Sequence, residues 1–247
     1  MIYIGTASWN IPKIAMDSFS REGSHLVRYS KKFNAVEINT SFYKDHLAKS
    51  YAKWAASTPD DFRFSVKLNQ RFTHSCEEAS TLELSDSLES ISCLDEKWRA
   101  LLVQFPAGKI FNNSSMNKMY KIMRKRFSGI IAVEPRNLSW ASEESLELMR
   151  EYNITKVTAD PEKCPGIEIG KEKYIRMHGS PEIYRSNYED EALVKLEIEL
   201  ENHEHEAWCI FDNTTFGYAT MNALSLAHKK EFYGNTQLIE SSNLIRH

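Results

Sequence analysis

A chain of 247 residues, 42% hydrophobic and 26% charged, has ordinary globular composition and can bury a substantial core in one large α/β domain or two smaller ones. A net charge of −3 excludes the strong single-sign field of a non-specific polyanion binder, which leaves nucleic acid a secondary candidate as partner. Cys76, Cys93, Cys164 and Cys209 form no C-x-x-C pair, "MIYIGTASW" is no secretion leader, and no apolar run reaches bilayer length, so a reduced, cytoplasmic protein without a membrane partner is expected.

Eight β-branched or aromatic runs ending in polar residues alternate with helix-period stretches, as βα units do. In chain order the predicted strands are "IYIG" (2–5), "AVEI" (35–38), "RFSVK" (63–67), "LLVQ" (101–104), "IIAVE" (130–134), "KVTAD" (156–160), "YIRMH" (174–178) and "AWCIFD" (207–212). After the fourth, "SMNKMYKIMRKRF" predicts a helix with Met116, Met119, Ile122 and Met123 on one face and Lys118, Lys121 and Lys125 on a solvated face. After the fifth, "SWASEESLELMREY" opens on Ser142 as N-cap, with Glu143 and Glu144 at the positive end of the helix dipole. "DEALVKLEIELENH" predicts a helix before the eighth strand.

Strand starts mostly recur at about thirty residues, the length of a βα unit. The gap after "KVTAD" is shorter, and the prolines of "DPEKCPG" leave room for a turn or less. The pattern predicts a single (β/α)8 TIM barrel with a shortened sixth helix, one domain over 1–247 with a C-terminal tail at about 233–247. An open doubly wound sheet is the alternative, but the Gly-rich turn that would mark a nucleotide cofactor is absent.

Side chains alternate along a strand, so one parity faces the helices and the other fills the interior. Val36, Ile38, Phe64, Val66, Leu101, Val103, Ile131, Val133, Val157, Ala159, Ile175 and Met177 are expected outside. Glu37, Asn39, Ser65, Lys67, Leu102, Gln104, Ala132, Glu134, Arg136, Thr158, Asp160, Arg176, His178 and Asp212 are expected inside or at the rim. The inward set is small or apolar at strand starts and charged at their C-terminal ends, where barrel enzymes place their chemistry.

"GTASW", "FNAVEINTSFY", "FRFSVK" followed by "TH", "LLVQFP", "VEPRNLSW", "YIRMHGS" and "FDN" with "ATMNA" together resemble the YecE-like family of TIM-barrel proteins, also called domain of unknown function 72. The resemblance covers about residues 2–228, and it implies one TIM barrel with a polar cleft at the strand C-termini but no settled reaction. Against the family pattern, Ser8 replaces a Gly, Ala107 a Pro, Pro135 and Asn137 a Phe and a His flanking Arg136, and Asp212 an Asn. Any mechanism that needs an imidazole at Asn137 is therefore closed to this chain.

The expected mouth holds Glu37, Asn39, Lys67, His74, Gln104, Glu134, Arg136, Trp140, Asp160, Arg176, His178, Asp212 and Asn213. Lys67, Arg136 and Arg176 suit an anionic ligand, unless they are consumed by internal pairing with Glu37, Glu134 and Asp160. Glu134 is the first candidate general acid or base, with Glu37 as partner, and the two could also form a glycosidase pair. His178 could act as a base, and Lys67 could form a Schiff base if its pKa were depressed. Trp9, Phe42, Tyr43 and Trp140 could stack on a ligand or pack beneath loops.

No metal spacing links His74, His178, Glu134, Asp160 and Asp212, and "HEHE" (203–206) reads as a solvated turn at the opposite end. The expectation is a hydrolase-like or lyase-like enzyme for a small anionic or sugar-bearing substrate, its cofactor unassigned. The alternative is a non-catalytic module that binds a nucleotide, sugar or single-stranded nucleic acid.

Overall fold

The computed structural model describes residues 1–75, 80–166 and 168–228, so Cys76 and the tail at about 233–247 lie outside the described residues. Strands form where apolar alternation places them: β1 (Ile2–Thr6), β2 (Ala35–Ile38), β3 (Arg63–Lys67), β4 (Trp98–Gln104), β5 (Ile130–Glu134), β6 (Ile154–Lys156), β7 (Thr158–Asp160), β8 (Lys173–Met177) and β9 (Ala207–Phe211). Helices alternate with them: α1 (His25–Tyr29), α2 (Ala48–Ala56), α3 (Thr81–Ile91), α4 (Asn113–Arg126), α5 (Glu143–Glu151), α6 (Asp190–Glu201) and α7 (218–228). No helix is found among the described residues between β7 and β8, where "DPEKCPG" leaves only a turn. On α4, Met116, Met119 and Met123 are buried while Lys118, Lys121 and Lys125 are exposed. Ser142 caps α5 by accepting from the Ser145 N–H at 3.3 Å.

All strand pairs are parallel, in two sheets ordered β2-β3-β4-β5-β6 and β1-β9-β8-β7. The expected closed ladder of eight strands is not what the backbone hydrogen bonds form, because two seams separate the sheets. At the first, side chains span β1 and β2. Asn34 accepts from the Ile4 N–H and donates to the Ile2 carbonyl, both at 2.9 Å, while the Tyr29 hydroxyl accepts from the Thr6 N–H at 2.8 Å. Gly5 permits this approach, since a Cβ there would stand 2.2 Å from the Ala35 carbonyl oxygen. At the second seam the predicted sixth strand breaks at Val157. The β6 half pairs with β5 and the β7 half with β8, while the Lys156 N–H turns aside to the Ile169 carbonyl at 3.0 Å.

Parity holds on the other strands. Val36, Ile38, Phe64, Val66, Leu101, Val103, Ile131, Val133, Ile175 and Met177 join one core with helix residues such as Leu88 and Met123. Tyr3, Ala35, Ala100, Leu102, Ile130, Ala132, Tyr174, Trp208 and Ile210 form a second cluster on the inner faces. Val157 belongs to that inner cluster too, against expectation. In the β7–β8 register Ala159 stands beside Arg176 and Asp160 beside the outward Met177, so Thr158 and Asp160 turn away from the interior. The break at Val157 is the reason, because alternation read through 156–160 as one strand inverts the parity. The "HEHE" turn lies before β9, where Glu206 pairs with Arg99 at 2.6 Å.

Candidate functional site

At the C-terminal ends of β2, β5, β8 and β9, four buried charged side chains meet. Arg176 is fully buried. Its Nε and Nη2 donate to Glu37 at 3.0 and 2.7 Å, Nη1 donates to Glu134 at 2.7 Å, and Nη2 also donates to Asp212 at 3.0 Å. A guanidinium presents five donors in a fixed fork, and three carboxylates from three strands fill it here. Beneath, the Tyr174 hydroxyl lies 3.1 Å from Glu37 Oε2 and 2.7 Å from Ser65 Oγ. Above, Arg136 donates twice to Glu134 Oε1, at 2.9 and 2.7 Å.

His178 stands beside this knot. Its Nδ1 is 3.0 Å from Asp212 Oδ2, and its Nε2 lies 3.4 Å from Glu134 Oε1 and 3.3 Å from Arg176 Nη1. A neutral ring would accept from Arg176 at Nε2, whereas a protonated ring turns an N–H toward Glu134, so a proton can come and go at that atom. Burial pulls the His178 pKa down, but the hydrogen bonds with Asp212 and Glu134 prevail and raise it. Burial alone would raise Glu134 and Asp212. Arg176, the His178 hydrogen bond and the other cations outweigh it, holding Glu134 well below the ordinary carboxylate range and Asp212 below its own.

Lys67, at the end of β3, is 6% exposed and has no carboxylate within ion-pairing distance among the described residues. Its ammonium lies 4.2 Å from the centroid of the Phe42 ring. Burial, then the nearby Arg176, bring its pKa down to about 8 against the pull of Glu37, Asp212 and Glu134. His74 packs edge-on against the same Phe42 ring at 5.1 Å, and burial, Lys67 and Arg136 lower its pKa. Asn39 Oδ1 is buried without a hydrogen-bond partner among the described residues, and Gln104 sits in register with Glu134. Beside this rim, a groove of about 570 Å³ is lined by Tyr43, Lys44, Asn69, Arg71 and His74 among others.

The structure thus brings together Glu37, Lys67, Glu134, Arg136, Arg176, His178 and Asp212, with Asn39, His74 and Gln104 on the rim. Three predicted members are elsewhere. Asp160 turns outward with Met177, as the β7 register requires. Trp140 is fully buried, its indole N–H donating to the Lys109 carbonyl at 2.9 Å and its ring packed on Phe105 at 4.4 Å, so it supports the loop. Asn213 donates to the Ser186 carbonyl and to Asn222 Oδ1, both at 2.9 Å, tying loops together because it has the opposite parity to Asp212.

The glycosidase pairing of Glu37 with Glu134 loses its space, since the Arg176 guanidinium fills the gap between them. Tyr174 was not foreseen as a site residue, although its inward parity on β8 signals it. Tyr184 was also missed. It reaches Arg136 from a loop, and no strand pattern marks it. Asn137, standing for the family histidine, donates to the carbonyl of Ala107, another departure, at 2.7 Å, which stitches the two loops. No group of three or more His, Cys, Asp or Glu fit to hold a metal occurs among the described residues.

Parallel strands alternating with helices, and a charged cup at the strand C-termini, define the class: an α/β protein of TIM-barrel-like fold. The family described as "Protein of unknown function DUF72" matches residues 3–242, and the chain belongs to that family. It is 31% identical over 216 residues to the UPF0759 protein YunF of Bacillus subtilis, covering 79% of this chain and 70% of that one. Among solved structures it resembles the DUF72 protein EF0366 of Enterococcus faecalis, with a TM-score of 0.76, 22% identity, and coverage of 92% of this chain and 94% of that one. It also resembles the DUF72 protein TM1631 of Thermotoga maritima, with a TM-score of 0.72, 26% identity, and coverage of 94% and 99%. Among the described residues no helix is long and apolar enough to cross a membrane.

Proposed function

We propose that the chain is one TIM-barrel domain whose two sheets act as a single wall, and that the cup at its mouth is the active site of an enzyme for a small anionic substrate. The observation that carries this reading is the division of charge within the cup. Its floor is closely ion-paired, with Arg176 and Arg136 set among Glu37, Glu134 and Asp212 and His178 beside the odd carboxylate, while Lys67 stands on the rim outside every ion pair described. Burying an amine without a carboxylate partner is unfavourable for folding alone, and it becomes favourable when a ligand brings the missing negative charge.

In this reading the roles shift from Glu134 to His178. A carboxylate held well below its ordinary pKa, with both oxygens engaged by Arg176 and Arg136, is an electrostatic anchor and a poor proton carrier near neutrality. His178, oriented by Asp212 through Nδ1, has a long Nε2 contact that a substrate oxygen can replace, so it would supply or take the proton there. Lys67 and Arg136 would hold the anion, with Asn39, Gln104 and His74 around it.

The test is a thermal-shift and turnover screen of purified protein against small carboxylates, phosphorylated sugars and glycosides, with products read by mass spectrometry. Anions should stabilise the wild type but not a Lys67→Ala, Arg136→Ala double variant, and His178→Asn should keep binding and lose turnover. Stabilisation by neutral glycosides alone, or anion binding indifferent to Lys67 and Arg136, would sink the reading. One observation favours a non-catalytic binding module instead: Glu134 and Asp212 are both held ionised by the buried cations. Lys67- and Arg136-dependent binding without any product would select it.

A further inference from the structure

We infer that Lys67 is a nucleophile that forms an imine with a carbonyl-bearing anion, so that the substrate class is an oxo acid or a phosphorylated aldehyde or ketone. The inference rests on the preceding reading of the mouth as an anion site, and it adds a covalent role for one residue. Its basis is geometric. A lysine whose only work was charge balance would stand against one of the three carboxylates of the cup, yet Glu37, Glu134 and Asp212 are all drawn to Arg176. Lys67 instead ends on an aromatic face, buried at the C-terminal end of a strand. That is a setting in which an amine loses its proton readily, because burial strips the water that favours the ammonium and the Arg176 guanidinium repels it.

The groups facing Lys67 give the same sign. Burial and Arg176 disfavour its charged form, while Glu37, Asp212 and Glu134 oppose them, and the balance brings its pKa to about 8. At pH 7.5 a substantial fraction of the amine is then free, on the order of 10²-fold more than for an exposed lysine. His74 on the same Phe42 ring has its pKa lowered and provides a neutral base.

The chemistry balances without any further reactant. The free Nζ attacks the carbonyl carbon, the C–N bond forms as the carbonyl π electrons move to oxygen, and that oxygen takes a proton. Loss of the oxygen as water, with departure of the remaining N–H proton, leaves the imine. One amine and one carbonyl yield one imine and one water. Neutral imine or protonated iminium, the adduct keeps the substrate's anionic group beside Arg136.

Reductive trapping of the full chain tests this. Protein is incubated with pyruvate or pyridoxal 5′-phosphate and sodium cyanoborohydride at pH 7.5, and labelled peptides are identified by mass spectrometry. The expected result is one dominant adduct at Lys67, formed on the order of 10²-fold faster than at exposed lysines, with a rate that rises with pH through a midpoint at about 8. Lys67→Arg keeps the cation and should still be stabilised by pyruvate in a thermal shift, but it should give no dominant adduct. Labelling spread over surface lysines alone, or labelling at Lys67 no faster than theirs, overturns the inference. If pyruvate still stabilises the wild type and Lys67→Arg in that case, the anion site stands and only the imine falls. If pyruvate neither stabilises nor labels, both fall.

Discussion

The inner faces of the same strands carry two opposite solutions a few residues apart. Toward the strand starts Tyr3, Ala35, Ala100, Ile130 and Trp208, with Leu102, Ala132 and Ile210 further along, make an apolar plug, with Tyr3 and Trp208 rings 4.7 Å apart. Toward the strand ends, Glu37, Lys67, Glu134, Arg176, His178 and Asp212 replace it with charge. Both regions are buried, so the contrast is one of chemistry rather than of access to water. The plug stabilises by removing apolar surface from water, whereas the cup must first overcome the desolvation of each ion. A chain that needed only a folded interior could have continued the plug upward, and the switch to ions at this end is what the proposed ligand site rests on.

The largest effect expected is from Arg176→Met, which leaves three buried carboxylates without their shared cation and should destabilise by about 3–5 kcal/mol in equilibrium denaturation at pH 7. The loss should shrink as pH falls and the carboxylates protonate. In the plug, Leu102→Ala should cost about 3 kcal/mol with no such pH dependence, since only contacts and a cavity are involved. Equal pH profiles for the two variants would erase the distinction between the regions.

Lys67→Met should act in the opposite direction. The folded-state pKa of about 8 lies below the 10.5 of an unperturbed lysine, so the unfolded chain binds the extra proton and the ammonium opposes folding. The variant should gain up to about 3 kcal/mol at pH 7, with a gain full below about pH 8 and fading to nothing as pH rises to 10.5. A loss of stability in that variant at pH 7 would mean that the amine is well paired.

His178→Asn should show the smallest effect, about 1 kcal/mol, with the reverse pH sense. A His pKa raised above 6.5 contributes stability that is full below 6.5 and is lost as pH rises through the folded value. The wild type should therefore show a decline that sets in above pH 6.5, as pH rises through the folded value, and that the variant lacks. An imidazole NMR titration should place the His178 midpoint above 6.5, and a midpoint below it would contradict the paired geometry.

Much of this was legible without coordinates, for a local reason. Period-two alternation identifies strands and the direction of each side chain, so Glu37, Lys67, Glu134 and Arg176 were expected at one end because each follows an apolar run by fixed parity. Alternation failed at 156–160, where it cannot register that the Lys156 N–H leaves the ladder. Ser8 is a subtler case. The family places Gly there, and this chain holds the serine at a φ of 138°, a conformation that favours glycine, with the Thr6 hydroxyl donating to the Ser8 carbonyl at 2.6 Å. Trp140 and Asn213 lie near mouth residues in sequence, but nearness does not reveal that their side chains turn into loop supports.

What the sequence determined by itself is the series of strands, the faces of most of them, the shortened sixth crossover, and the end of the molecule where charge collects, because each depends on residues within a few positions of one another. Only the tertiary structure decided that Arg176 takes Glu37, Glu134 and Asp212, that Lys67 is left on Phe42, and that side chains rather than a backbone ladder join β1 to β2. Those outcomes depend on distances across the interior between residues as far apart as 139 positions in the chain, where competition among several carboxylates for one guanidinium is settled by geometry that no local pattern encodes.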